Sequence, residues 1–422
     1  MIKKAAAAAL CFSFAVSAHA LTLEEAVNKA LTGNHEITEY KYLTEQKERQ
    51  VGAAFSPFLP SLDASYSYQR SNENDKYGLD KNQASSADVT VSYNLFKGGA
   101  DSLNLKSAKS SLEAQKYMEN SIKSDVVLDV KKAFFSILQA KKDVEAAKES
   151  VELLESQLKD AQLNYDVGIS PKNEVLKVEA ELASQRQALL QAKSTENTSV
   201  FELERLINEN IPSNEVYEDF SAPSQKKLDS AALFESLKAN RSELKYVREL
   251  VKAQNYSADA TKRGGLPSIN VSASYNSYGD DAKPADRDST YDDEVIFGAS
   301  ANWSIFDGNA RRSTAAAEKA YAMSLKHQEL KTTAQMKYQL ENALEQYDLA
   351  TGSLAVAEKE TESAEENYRI TENQYKQRVA TSTELLDARV MLTRARNNYN
   401  KALYDIYKAM AEIERVTEEQ VF

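Results

Sequence analysis

Side chains able to do covalent or metal chemistry are scarce in this chain. The three histidines, His19, His35 and His327, stand far apart, and the one cysteine is Cys11. Metal-ligating residues recur within a few positions of one another, and these do not. No G-x-S-x-G elbow, phosphate loop or C-x-x-C is present. The reading is therefore not an enzyme, with no catalytic residues, no metal and no cofactor. What recurs instead is a turn. Tyr165 to Leu182 reads YDVGISPKNEVLKVEAEL, and Tyr375 to Leu392 reads YKQRVATSTELLDARVML. Each opens on Tyr, breaks at a short polar step and resumes with Glu, an apolar residue and Leu. Taken alone, Gly168, Ser170 and Pro171 are turn chemistry, with Pro171 suited to a first helical position. Glu384 reads alone as a solvated carboxylate in the first turn of a helix.

Two such turns imply a duplicated plan. LPSLDASYSY (59–68) returns as LPSINVSASY (266–275), and NLFKGG (94–99) returns as SIFDGN (304–309). Each half runs helix, strand pair, long helix, turn, helix, and a repeat of this kind governs the whole fold. The expected division is a signal peptide at 1–20, a first repeat at 21–211, a linker at 212–227 holding Pro212 and Pro223, and a second repeat at 228–422. The signal peptide is read from basic Lys3 and Lys4, apolar Ala5 to Val16 and the small-x-small step Ala18-His19-Ala20. Its removal takes away Cys11, so the mature chain has no thiol chemistry, and moves the formal charge from −12 to −14. An exported acidic chain is a poor nucleic-acid binder. About four hundred residues remain, enough for two or three ordinary domains.

The strands alternate. Leu62, Ala64, Tyr66 and Tyr68 interleave with polar residues, as do Val89, Val91, Tyr93 and Leu95, and Ile269, Val271, Ala273 and Tyr275. Residues 295 to 305 are apolar at odd positions, with Trp303 near the end. Such segments approach the ~9–11 residues of a tilted membrane strand, and apolar-out, polar-in alternation suits a barrel with a wet lumen. A half-buried soluble sheet has the same period. The glycine pairs 98–99 and 264–265 fall at strand–helix junctions, where permissive backbone is useful.

Between the strands and the turns lie runs without breakers. From Ala100 to Val167 there is no Gly or Pro, and from Asn309 to Arg378 only Gly352. Each run could reach about 100 Å as a helix. Val130, Ile137, Val144, Val151, Leu158 and Tyr165 are seven apart, with Ala133, Ala140, Ala147, Leu154 and Ala161 beside them. The second half repeats this through Leu340, Tyr347, Leu354, Thr361, Tyr368 and Tyr375, with Ala343, Ala350, Ala357 and Ala364. A sustained heptad means coiled-coil packing, in which Tyr165 and Tyr375 would be core residues. Heptads alone also fit an exported structural coiled-coil protein without channel activity. A strand pair per half does not fit a rod. Four strands cannot close a membrane barrel, because an open edge in lipid leaves backbone groups unsatisfied. Two copies would give eight strands and three would give twelve.

Together, the LTLEEAVNKAL opening, the two LPS…SY strand entries, the LF-x-GG and IF-x-GN exits and the two Tyr-turn-Glu segments resemble the TolC-like outer-membrane efflux proteins over essentially the whole mature chain. The resemblance implies a mixed α/β membrane protein and a homotrimer. Four strands per chain would form a twelve-stranded outer-membrane barrel in lipid, continued by a coiled-coil tunnel in the periplasm. It implies an exit duct for a tripartite efflux or type I secretion system, with a periplasmic adaptor and an inner-membrane RND, ABC or MFS transporter as partners. The quoted turns would then be hairpins at the periplasmic mouth. Val167, Gly168, Ile169 and Ser170 match the family's adaptor-docking turn well, and Val379, Ala380, Thr381 and Ser382 match loosely. Tyr375, Glu384 and Asp387 fall where the family places gating residues, and three copies of an acid around an axis would attract cations. Two positions depart from the pattern: Arg378 stands where glycine is expected and Ala380 where arginine is. Either Arg378 then supplies the positive partner of Asp387 from a shifted place, or the lock differs altogether.

Overall fold

The computed structural model describes residues 20–72, 82–287 and 291–422, so the segment read as a signal peptide lies outside the described residues except for Ala20. The first half contains helices α1 (Leu23–Gly33) and α2 (His35–Phe55), a 3-10 turn (Ser56–Phe58), strands β1 (Ser61–Arg70) and β2 (Gln83–Lys97), and helices α3 (Ala100–Asp166) and α4 (Lys172–Ile207). The second half repeats the order with α5 (Ser230–Asn240), α6 (Ser242–Arg263), β3 (Ser268–Gly279), β4 (Asp293–Asn302), α7 (Ala310–Lys376) and α8 (Ser382–Thr417). The duplication extends to length: α3 and α7 have 67 residues each, and α4 and α8 have 36 each.

Packing divides the chain into two compact units. One holds Met1–Thr38, Ile122–Ala239 and Tyr338–Phe422; the other holds Glu39–Ser121 and Asn240–Lys337. The second unit contains the sheet, which runs β1-β2-β3-β4 with every pair antiparallel. The register lines up like with like. Leu62 faces Val91, Val91 faces Ala273 and Ala273 faces Phe297; the next row is Ala64, Val89, Tyr275 and Val295. The opposite face carries rows such as Ser65, Asp88, Asn276 and Glu294. Ile296 interrupts that polar face. The apolar rows are not covered: Leu62 is 70% exposed and Phe297 82%. No helix among the described residues is long and apolar enough to cross a membrane.

Two strand details differ from the expectation. Strand β4 covers 293–302 rather than running on to Ile305, because the chain is pulled aside beyond Asn302. There the Trp303 indole N–H donates to the Gly265 carbonyl at 3.0 Å, and Arg311 Nη2 donates to the Ser304 carbonyl at 2.7 Å. In β2 the pairing skips between Asn94 and Phe96, so Leu95 sits in a bulge and the strict alternation ends there. Of the glycine pairs, Gly98 uses its freedom: φ is +62°, and a Cβ would lie 2.5 Å from the Arg263 carbonyl oxygen. Gly264 does not, having φ −59° at the end of α6.

The first unit is built on the heptads. Val130, Ile137, Val151, Ala133, Ala140, Ala147, Leu154 and Ala161 are buried along α3, and Leu340, Tyr347, Leu354, Ala343, Ala350, Ala357 and Ala364 along α7. Alanine at alternate core positions admits a close helix approach. The seam loosens toward the turns, correcting the expectation for the two tyrosines: Tyr165 is exposed and Tyr375 only half-buried. At Tyr165 the α3–α4 hairpin has run out of opposing residues, since its last apolar layer is Ala161 against Val175 and Val178. Elsewhere in this unit, Phe134, Phe135, Phe220 and Tyr407 form an aromatic cluster with ring centroids 4.9–6.3 Å apart.

Candidate functional site

Both repeated turns lie in the first unit and share one backbone design. In the first, the amides of Ile169 and Ser170 donate to the Asn164 carbonyl at 2.8 and 3.2 Å. In the second, the amides of Val379 and Ala380 donate to the Gln374 carbonyl at 2.9 and 3.3 Å. Such bonding closes a helix C-terminus only when one residue turns left-handed. Gly168 does so at φ +77°, and Arg378, its counterpart, at φ +62°. Arg378 therefore stands where glycine is the natural residue, with its side chain in solvent.

The helices beyond the turns start differently. Pro171 precedes α4 in extended backbone (φ −77°, ψ 154°) and makes no side-chain cap, so it sits one position before the first helical residue. Helix α8 has a full capping box: Glu384 N donates to Thr381 Oγ1 at 3.3 Å, and Thr381 N donates to Glu384 Oε2 at 2.7 Å. Hydrogen bonds from the Thr381 amide, then its hydroxyl, hold the Glu384 carboxyl below its usual range. Its charge is thus partly engaged within its own turn.

The turns present apolar tips to solvent. Val167 and Ile169 are exposed, as is Val379 at 73%, whereas Ser382 is only 2% exposed and its Oγ finds no partner among the described residues. Tyr375 is half-buried. Burial raises its phenol above the ordinary value, and the charges of Glu174 on α4 and Asp160 on α3 add to the effect. Asp387 is exposed, and no ion pair joins it to Arg378 within this chain among the described residues.

The hairpins meet through residues that the sequence did not single out. Lys177 Nζ donates to Thr383 Oγ1 at 3.3 Å, and Arg396 reaches Glu149 on α3 and Glu365 on α7, both at 3.1 Å. Leu386 packs on the α3–α4 core. Arg389 is the most unusual of these residues. It is 5% exposed, its Nη2 lies 3.4 Å from the Tyr368 hydroxyl, and its guanidinium sits 5.9 Å from that ring. Its Nε and Nη1 have no partner among the described residues, nor does either side-chain polar atom of buried Gln157. A charged residue four positions after Leu385, on the interior stripe of α8, was the available signal.

The profile of the family "Outer membrane efflux protein" matches residues 26–209 and again 233–417. The chain is 21% identical over 303 residues to Protein CyaE of Bordetella pertussis, an alignment covering 69% of this chain and 62% of that relative's length. Its fold is similar to the Campylobacter jejuni CmeC outer membrane channel (TM-score 0.82, 18% identity, 95% of this chain and 87% of that one). It is also similar to the open state of the Neisseria gonorrhoeae MtrE outer membrane channel (TM-score 0.78, 17% identity, 94% and 89%).

Proposed function

Since the chain belongs to the outer membrane efflux protein family, we propose that three copies of it form the exit duct of a tripartite efflux or type I secretion system. Family membership makes it an outer-membrane channel protein and not an enzyme. The observation that carries the proposal is the sheet, with an apolar face exposed across all four strands and two unpaired edges, β1 and β4. In lipid both edges must find partners. An even count of antiparallel strands lets β4 of one copy continue into β1 of the next without breaking the alternation. Members of the family are trimeric, and three copies give twelve strands around a passage lined by the polar rows. The long helices of three copies would continue that passage into the periplasm as a coiled-coil tunnel. The divisions 21–211 and 228–422, with 212–227 as linker, are the proposed repeat units, and 1–20 the proposed export signal.

Within this proposal the protein spends no energy; an inner-membrane transporter drives cargo. Val167, Gly168, Ile169, Ser170, Val379, Ala380, Thr381 and Ser382 form the surface for a periplasmic adaptor, the exposed Val167, Ile169 and Val379 supplying apolar contact. Tyr375, Arg378, Glu384 and Asp387 form the periplasmic gate, with Arg378 and Asp387 of different copies pairing around the axis. In-cell photo-crosslinking from position 169, followed by mass spectrometry, tests the reading. An adaptor in the adduct supports it, and the co-purifying transporter, a drug pump or a polypeptide exporter, assigns the cargo. Adducts to no envelope protein would contradict the docking assignment.

A further inference from the structure

A cleft of about 640 Å3 lies where β4 passes into α7, in the second unit. Its position follows from the strand. The apolar side chains Val295 and Phe297 of β4 are exposed, and beyond the strand end Trp303, Ile305 and Phe306 remain so, the last two at 77% each. The Trp303 ring is fixed by its bond to Gly265. Aromatic residues at the end of a membrane strand sit at headgroup depth.

The cleft lining is rich in cations. Lys262 comes from α6, and Arg311, Arg312 and Lys319 from α7, against the carboxylates of Asp259 and Asp307. Asp307 is already occupied, since Arg311 Nε donates to it at 2.6 Å. Arg311 also donates to the Gly264 carbonyl at 2.9 Å and the Ser304 carbonyl at 2.7 Å, so it builds the floor of the cleft. Lys319 gives one bond to the neutral Asn255 Oδ1 at 2.6 Å. Among the described residues, no carboxylate lies within ion-pair range of Lys262, Arg312 or Lys319. Ile305 and Phe306, with Ala258, Ala315 and Ala316, supply the apolar part of the lining.

An occupant that suits both kinds of lining carries an anion at one end and a hydrocarbon chain at the other. We infer that the cleft binds a phospholipid with a net negative headgroup, its phosphate among Lys262, Arg312 and Lys319 and an acyl chain along Ile305 and Phe306. The inference rests on the reading that β4 faces lipid. Bound lipid would fix the depth of the sheet in the membrane, and the net positive lining favours an anionic headgroup over a zwitterionic one.

The test uses the full-length protein in nanodiscs of mixed phosphatidylglycerol and phosphatidylcholine. A photoreactive phenylalanine analogue is placed at position 306, with position 297 as the control. The expected result is lipid adducts at both positions, with phosphatidylglycerol enriched over its bulk fraction only at 306. The double variant Arg312→Gln/Lys319→Gln should cut the phosphatidylglycerol-to-phosphatidylcholine adduct ratio at 306 by up to roughly twenty-five-fold, at about fivefold per cation, and leave position 297 unchanged. Excess inorganic phosphate added before irradiation should not suppress adduct formation, because the acyl chain also holds the lipid. Lipid at 297 together with bulk-ratio lipid, or a second copy of this chain, at 306 would overturn the site and leave the barrel standing. Suppression by inorganic phosphate would reduce it to a free-phosphate site and overturn the lipid assignment. Lipid at neither position would overturn the membrane reading of the sheet as well.

Discussion

Gly168 and Arg378 occupy the same place in two copies of one turn, with φ of +77° and +62°, and only glycine takes that backbone without strain. A left-handed conformation costs an L-residue roughly 1–2 kcal/mol. Nothing lies within 4 Å of a Cβ built on Gly168, so Gly168→Ala carries the backbone term with no clash. Alanine also lowers the entropy of the open chain, which returns about 0.4–1 kcal/mol. At the middle of both ranges the net destabilisation is about 0.8 kcal/mol, and Arg378→Gly should stabilise the second turn by a similar amount. Hydrogen exchange of the tip amides reads local opening directly. Ile169 and Ser170 should exchange roughly 2–10-fold faster in Gly168→Ala, and Val379 and Ala380 slower by a similar factor in Arg378→Gly. Each variant should leave the other turn unchanged. Unaltered exchange in Gly168→Ala, or faster exchange in Arg378→Gly, would refute the claim that left-handed backbone limits these turns.

Arg389 holds a buried charge with two N–H groups unpartnered among the described residues; replacing even a buried ion pair with apolar residues of similar volume is often neutral or stabilising by about 1–4 kcal/mol, and a charge without a partner has less attraction to lose. Arg389→Met should therefore slow exchange in the α7–α8 hairpin; a loss of stability would mean that another copy supplies a carboxylate. Burial raises the Asp143 carboxyl from 3.8 to about 6, against the lowering influence of Asn400 and Lys408. The neutral form is thus favoured on folding, and its stabilisation is complete below pH 3.8 and lost as pH rises to about 6. Asp143→Asn should raise the melting temperature at pH 7.5 and have little effect at pH 3.5; an equal gain at both would contradict the shift. If Arg378 and Asp387 pair between copies, Arg378→Ala and Asp387→Ala should each raise single-channel conductance in planar bilayers, and unchanged conductance in both would remove that pair from the gate.

The long helices and the strands were legible because their periods run for many residues. Seven-residue spacing from Val130 to Val151 and two-residue spacing from Leu62 to Tyr68 have few competing explanations. Local events were harder to read. The end of β4 depends on Trp303 and Arg311 reaching backbone carbonyls, and no periodicity records such bonds. Tyr165 fits the heptad but lies past the point where α4 can cover it. At the turns, the Thr381–Glu384 capping box is written in the sequence as T-x-x-E, yet the same glutamate also fits a family gate position, and spacing does not separate the two roles. The charge influence of Glu174 on Tyr375, and the ion pair of Arg396 with Glu149, link residues about 200 or more positions apart, and only the paired hairpins bring them together.

Closure of one barrel by three copies would join the free edges of β1 and β4. Electron cryomicroscopy of the purified full-length protein in lipid nanodiscs tests it most directly. The expected result is a three-fold particle with twelve strands inside the lipid density and β4 of each copy hydrogen-bonded to β1 of the next. A monomeric particle, a two-fold eight-stranded one, or a sheet lying outside the lipid would contradict it.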